Sequence, residues 1–170
     1  MTTALIAAAA ALLGVVVGRF WDNRTEAARW RRDQQAASYQ RFAEEFRTTC
    51  EAMRTIALAS PDDPGFADMI RDFRAGYDRW DNAYTAVWLH GSPTVVAAAV
   101  ALDRAQTELF YDAQDRHAQI EDWYRMRIPT REAFECFIRA VRDELDLKPV
   151  RANYFPDLAA QTPESSIPVQ

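Results

Sequence analysis

The chain is poor in the residues that staple, hinge or bend a fold. It has two cysteines, Cys50 and Cys136, too few for a disulfide framework. Both sit among apolar residues in helix-like patterns, which reads as two buried thiols in a reducing compartment. Only five glycines and eight prolines occur in 170 residues. The prolines fall at Pro61 and Pro64, at Pro93, at Pro129, and from Pro149 onward. Proline breaks helix interiors, so long helices separated by sharp turns are expected. The three glycines beyond residue 18, Gly65, Gly76 and Gly91, leave no room for a Walker-type or dinucleotide-binding loop. Lysine is confined to Lys148, with arginine carrying the other basic positions. No alternating strand pattern of useful length is present.

What the chain does have is apolar mass and uneven charge. Hydrophobic residues make up 49% and aromatics 12%, enough for one folded domain. The net charge of -5 conceals a division. Residues 1–33 carry five arginines against Asp22, Glu26 and Asp33, while the remainder is acidic. An acidic body argues against nucleic-acid binding, which needs clustered positive charge.

Ala4 to Gly18 reads ALIAAAAALLGVVVG, without a charged residue. With its flanks the segment approaches the roughly 20 residues that span a bilayer core. Arg19 can snorkel, Phe20 and Trp21 suit the interface, and Arg24 adds to the collar. A cleaved signal peptide would want a basic start, and no arginine precedes Arg19. A buried helix is the other competitor, since short apolar runs are often that. The arginines that follow place the N-terminus outside and the body in the cytoplasm, as a single-pass protein of the cell's inner membrane. Ala10, Gly14 and Gly18 repeat small residues at four-residue spacing, a pattern that lets two spanning helices pack closely into a homo-oligomer.

The body reads as four helices. The first should run unbroken to Ala59 with Tyr39, Phe42, Phe46, Cys50, Met53 and Ile56 as its stripe. The second covers Phe66 to Leu89, with Gly76 inside it. Ser92 and Pro93 open a third, which extends from Thr94 to about Arg127. Thr130 is the expected N-cap of a fourth that ends near Leu147. Short connections imply antiparallel neighbours. The fold class is therefore all-α: an N-terminal transmembrane helix continuing into an antiparallel four-helix cytoplasmic bundle with coiled-coil-like stripes. Residues 1–21 form the anchor, 22–38 a basic stalk, 39–147 the bundle, and 148–170 a proline-rich tail. In that tail Tyr154 and Phe155 are placed to dock on the bundle, while Ala159 to Gln170 should be mobile.

Few residues suggest chemistry. His117, on the expected buried line of helix three, could pair with Glu121, but neither histidine has the Glu-x-x-His spacing of di-metal bundles. No catalytic, cofactor-binding or metal-ligating residue is assigned, and no cofactor is implied. Trp80, Tyr84, Trp88 and Trp123, with His117, are the candidate contacts for a ligand or protein partner. The stretch Arg29-Trp30-Arg31-Arg32-Asp33, followed by Tyr39 and Phe42, resembles a broad group of uncharacterised small bacterial single-pass membrane proteins with an Arg-Trp-rich juxtamembrane helix. That resemblance spans about residues 4–46 and implies a helical cytoplasmic body without an assignable activity. The expected role is a membrane-tethered module that associates with itself or with an unknown protein partner. The alternative is a ligand- or metal-binding bundle with its site near His117.

Overall fold

A computed structural model describes the backbone of residues 2–155, and the side chains of Glu26 and of residue 29 onward. Six helices follow one another: α1 (Thr2–Leu58), α2 (Phe66–Ala75), α3 (Asp78–His90), α4 (Pro93–Asp115), α5 (Ile120–Met126) and α6 (Ile128–Glu144). The described residues contain no strand. Neither glycine nor proline interrupts the sequence between Gly18 and Pro61, and α1 accordingly runs for 57 residues. At 1.5 Å per residue that is about 85 Å. The anchor assigned to residues 1–21, with Ala10, Gly14, Gly18, Arg19, Phe20, Trp21 and Arg24, falls where side chains lie outside the described residues. Among the described residues no helix is long and apolar enough to cross a membrane.

The helices form four antiparallel rods, two of them broken. The rod returning beside α1 is α2 followed by α3. Its expected continuity fails at Gly76 and Tyr77, where glycine weakens the helix by about 1 kcal/mol relative to alanine. Gly76 stays near helical geometry at φ -82° and ψ -7°, so the rod kinks there and does not turn back. α4 runs outward again, and α5 with α6 returns along it. Ser92 caps α4 as expected, its hydroxyl accepting from the Val95 amide, and Pro93 occupies the first turn.

The third helix stops at Asp115, well short of the expected Arg127. The terminus of α1 gives a physical reason. A helix leaves its last carbonyls without intrahelical partners. The Ala118 amide reaches the Ala57 carbonyl at 2.8 Å, and His117 Nδ1 lies 2.7 Å from the Ala59 carbonyl. The unwound residues 116–119 thus complete the end of another helix. Thr130 is also not the cap it was expected to be. α6 begins at Ile128, and the buried Thr130 hydroxyl donates to the Ala105 carbonyl of α4 at 3.1 Å.

The core divides into two clusters. The first joins Phe42 and Phe46 of α1 to Trp80 of α3, Leu102 of α4 and Phe134 and Phe137 of α6. Phe46 and Phe134 stack at 4.1 Å, and Phe42 lies 4.5 Å from Trp80. The second, at the far end, gathers Met53, Ile56, Leu109, Phe110 and Trp123. Between them lies a polar layer of Cys50, Gln106 and Thr130. Gln106 is fully buried, its Oε1 only 3.9 Å from the Cys50 sulfur, and its Nε2 has no hydrogen-bond partner among the described residues.

α6 ends in a paired reverse turn. The Leu147 amide bonds the Arg142 carbonyl at 2.9 Å and the Asp146 amide bonds that of Asp143 at 3.2 Å. This arrangement requires a left-handed residue, which here is Asp146 at φ 54°. Glycine takes that conformation without a Cβ penalty. Asp146→Gly should therefore stabilise the chain by about 0.5–1 kcal/mol, read as a raised denaturant midpoint at unchanged slope.

Candidate functional site

The five aromatic and histidine candidates do not converge. Trp80 is buried and donates its indole N–H to Asp103 Oδ1 at 2.7 Å. Tyr84 is half-buried between Phe42, at 5.9 Å, and Trp88, at 6.2 Å edge-on. Trp88 is exposed. These three form a ladder along α3 running from core to surface. Trp123 belongs to the far cluster, where its side chain is core. His117 corrects the expectation most sharply. It is exposed in the break after α4, and its ring nitrogen faces a backbone carbonyl. A shallow depression of about 390 Å³ there includes Arg116, Asp122 and Arg125, but none of the tryptophans. Among the described residues no three His, Cys, Asp or Glu side chains are grouped to hold a metal.

Two other constellations do converge. The first is a clasp at the end of the bundle nearest residue 30. Glu144, at the last turn of α6, accepts from the Ser92 amide at 3.2 Å, from the Ser92 hydroxyl at 2.8 Å and from Gln35 Nε2 at 3.1 Å. Gln35 also donates to the His90 carbonyl at 2.8 Å, and Arg32 to the Leu145 carbonyl at 3.0 Å. A carboxylate at a helix C-terminus is ordinarily unfavourable. Here it sits simultaneously at the positive N-terminus of α4, which offsets the cost. Tyr39 packs into the same corner without a well-formed hydrogen bond to its hydroxyl. Burial first, and Glu144 second, hold its phenol well above the usual range. Gly91 is required on steric grounds. A Cβ there would lie 2.8 Å from the Val87 carbonyl oxygen and 3.3 Å from the Tyr39 hydroxyl.

The second is a groove of about 600 Å³ between α1 and the start of α6. Its walls are Glu44, Arg47, Thr48 and Glu51 on one side and Arg127, Thr130 and Arg131 on the other, with Phe46 and Cys50 below. Tyr154 and Phe155 of the C-terminal segment close one end. Burial pushes the Cys50 thiol up to about 12, only partly opposed by Arg127. A thiol held neutral in this way is a poor nucleophile. The groove therefore offers aromatic surface, guanidinium groups and carboxylates for binding.

No family model matches the chain, and neither does any curated protein or solved structure at a significant level. The function has to be argued from the residues themselves.

Of the groove residues, Phe46, Cys50 and Phe155 carried a sequence signal through their stripe or their aromatic character. Arg127 and Arg131 did not, because a charged residue on a helix gives no sign of which neighbour it will face. The clasp was equally hidden, since Gln35, Ser92 and Glu144 lie on three separate elements.

Removing the Glu144 carboxylate leaves the Ser92 amide and hydroxyl without their acceptor and Gln35 with the His90 carbonyl alone. Glu144→Ala should cost about 2–3 kcal/mol, and Gly91→Ala about 1–3 kcal/mol through overpacking. Thermal unfolding should show each as a fall of roughly 2–4 °C per kcal/mol, whereas Glu144→Gln, which keeps an acceptor, should lose less.

Proposed function

We propose that this chain is a membrane-tethered helical interaction module, acting through self-association or by binding a protein partner. Residues 1–21 anchor it in the inner membrane with the N-terminus outside, and the bundle lies in the cytoplasm. The observation that carries this reading is the continuity of α1. One helix holds the apolar run at its start and, from Tyr39 to Ile56, supplies a wall of the core. The bundle is thereby joined to the apolar segment by continuous helix, with no flexible linker.

The distribution of surface groups supports the same orientation. Arg29, Arg31 and Arg32 follow the apolar run, on the side nearest the anionic inner leaflet. Asp62, Asp63, Asp112, Asp115, Glu121 and Asp122 belong to the loop and helix ends at the far end, alongside Arg74, Arg116 and Arg125. Trp30, Trp88 and Leu89 are 62%, 54% and 73% exposed, and all lie near the clasp. The rise from Trp21 to Gln35 is about 21 Å, against a headgroup layer of roughly 5–8 Å. An upright bundle therefore stands clear of lipid, and these side chains are available to protein. Confinement to a surface raises the effective concentration of such a module toward its partners.

The competing reading, a ligand or metal site near His117, gains no specific support, because His117 is exposed at the far end, away from Trp80 and Trp88, and Trp123 at that end is buried as core.

Two measurements test the proposal. Full-length protein should remain in the membrane pellet after alkaline carbonate extraction, and release into the supernatant would overturn the tether. In membranes, crosslinking should trap dimers that weaken several-fold in Gly14→Leu/Gly18→Leu, since bulk at that spacing blocks close helix approach. Unchanged crosslinking would remove these glycines as the contact.

A further inference from the structure

The segment after α6 doubles back along the bundle and is held by very little. Residues 148–154 are exposed and only Phe155 is half-buried. The Phe155 amide donates to Glu135 Oε1 at 2.8 Å, and Glu135 is itself a buried carboxylate on α6. The Phe155 ring lies 5.8 Å from Phe134 and 6.4 Å from Phe46, with the Arg131 guanidinium 4.4 Å above it. Tyr154 meets Phe134 edge-on at 5.3 Å. The seated unit is thus short: two adjacent aromatic rings and one backbone amide on a carboxylate.

We infer that one end of the α1–α6 groove is a recognition site for peptide segments bearing an adjacent aromatic pair, and that the chain's own Tyr154-Phe155 occupies that end in cis. The partner is accordingly a protein presenting such a segment. A short tether gives a cis ligand an effective concentration in the millimolar range. The resident segment therefore holds the groove against weak competitors and yields to strong or multivalent ones. This inference takes the binding-module reading as its premise and names the partner chemistry; the anchor plays no part in it.

Cys50 lines the groove and reports on its occupancy, and Cys136, exposed where the sequence pattern suggested burial, provides an internal reference. The test uses the full chain in detergent and a synthetic peptide of residues 148–160. In Tyr154→Ala/Phe155→Ala the rate at which a thiol reagent labels Cys50 should rise about tenfold as water enters, with Cys136 unchanged. Added peptide should restore protection, and a fluorescent copy should bind the variant with micromolar affinity and the wild type at least about tenfold more weakly, because there the cis segment competes. A peptide with both aromatics replaced by alanine should not bind. Circular dichroism checks folding, and if the double variant loses helix, Phe155→Ala carries the same measurements. Wild-type labelling rates in the folded variant, or no binding of the peptide, would overturn the inference. The assay needs no membrane, so its failure would leave carbonate extraction standing, and failure of extraction would leave the peptide result standing.

Discussion

Everything in this structure leans on the uninterrupted run of α1. Its first part is apolar in sequence, its middle carries Arg29, Arg31 and Arg32, and its last third supplies aromatic and aliphatic side chains to both core clusters. The other helices are arranged around that last third. α3 and α6 pack their aromatics on Phe42 and Phe46, and the break between α4 and α5 closes the helix end through Ala118 and His117. A helix that serves as both stem and core wall couples the posture of the bundle to the posture of the stem.

The clasp at Glu144 and the polar layer at Gln106 solve different problems. Glu144 gathers α1, α4 and α6 at one end through directional hydrogen bonds. Such bonds fix the relative height of the rods, which hydrophobic contact alone leaves soft. The layer of Cys50, Gln106 and Thr130 interrupts an otherwise apolar interior, and its unmatched amide is a cost borne inside the core. The two clusters it separates also differ in what covers them. The near cluster is packed by long helices, whereas the far one is finished by the short α2 and α5.

The helical class, the extent of α1, the stripe from Tyr39 to Ile56 and the Ser92-Pro93 start of α4 were legible because each depends on local periodicity or on a local cap. The breaks were harder. Gly76 was visible as a weak point, but its local cost does not decide whether a helix stays straight or kinks. The loss of helix at residues 116–119 had no local signal, since its cause lies at Ala57 and Ala59, about sixty positions away. His117 was misplaced for the same reason: helical periodicity was carried through a stretch where the chain serves another helix. Thr130 looked like a cap because threonine before a helix usually is one, yet its hydroxyl reaches across to α4. The groove was half legible, through Phe46 and the aromatic pair at 154 and 155, while the charged residues that complete it depend on how α1 meets α6.

The central claim is that residues 22–38 form rigid helix joining the apolar run to the bundle. Spin labels at Glu26 and Gln40, both exposed, measure this directly by pulsed electron paramagnetic resonance of the full chain in lipid. Continuous helix predicts a single narrow distance distribution centred near about 21 Å, allowing for label length. A broad distribution, or one displaced far from that value, would mean that the stem is a flexible linker and that the bundle is not held by the helix that enters it.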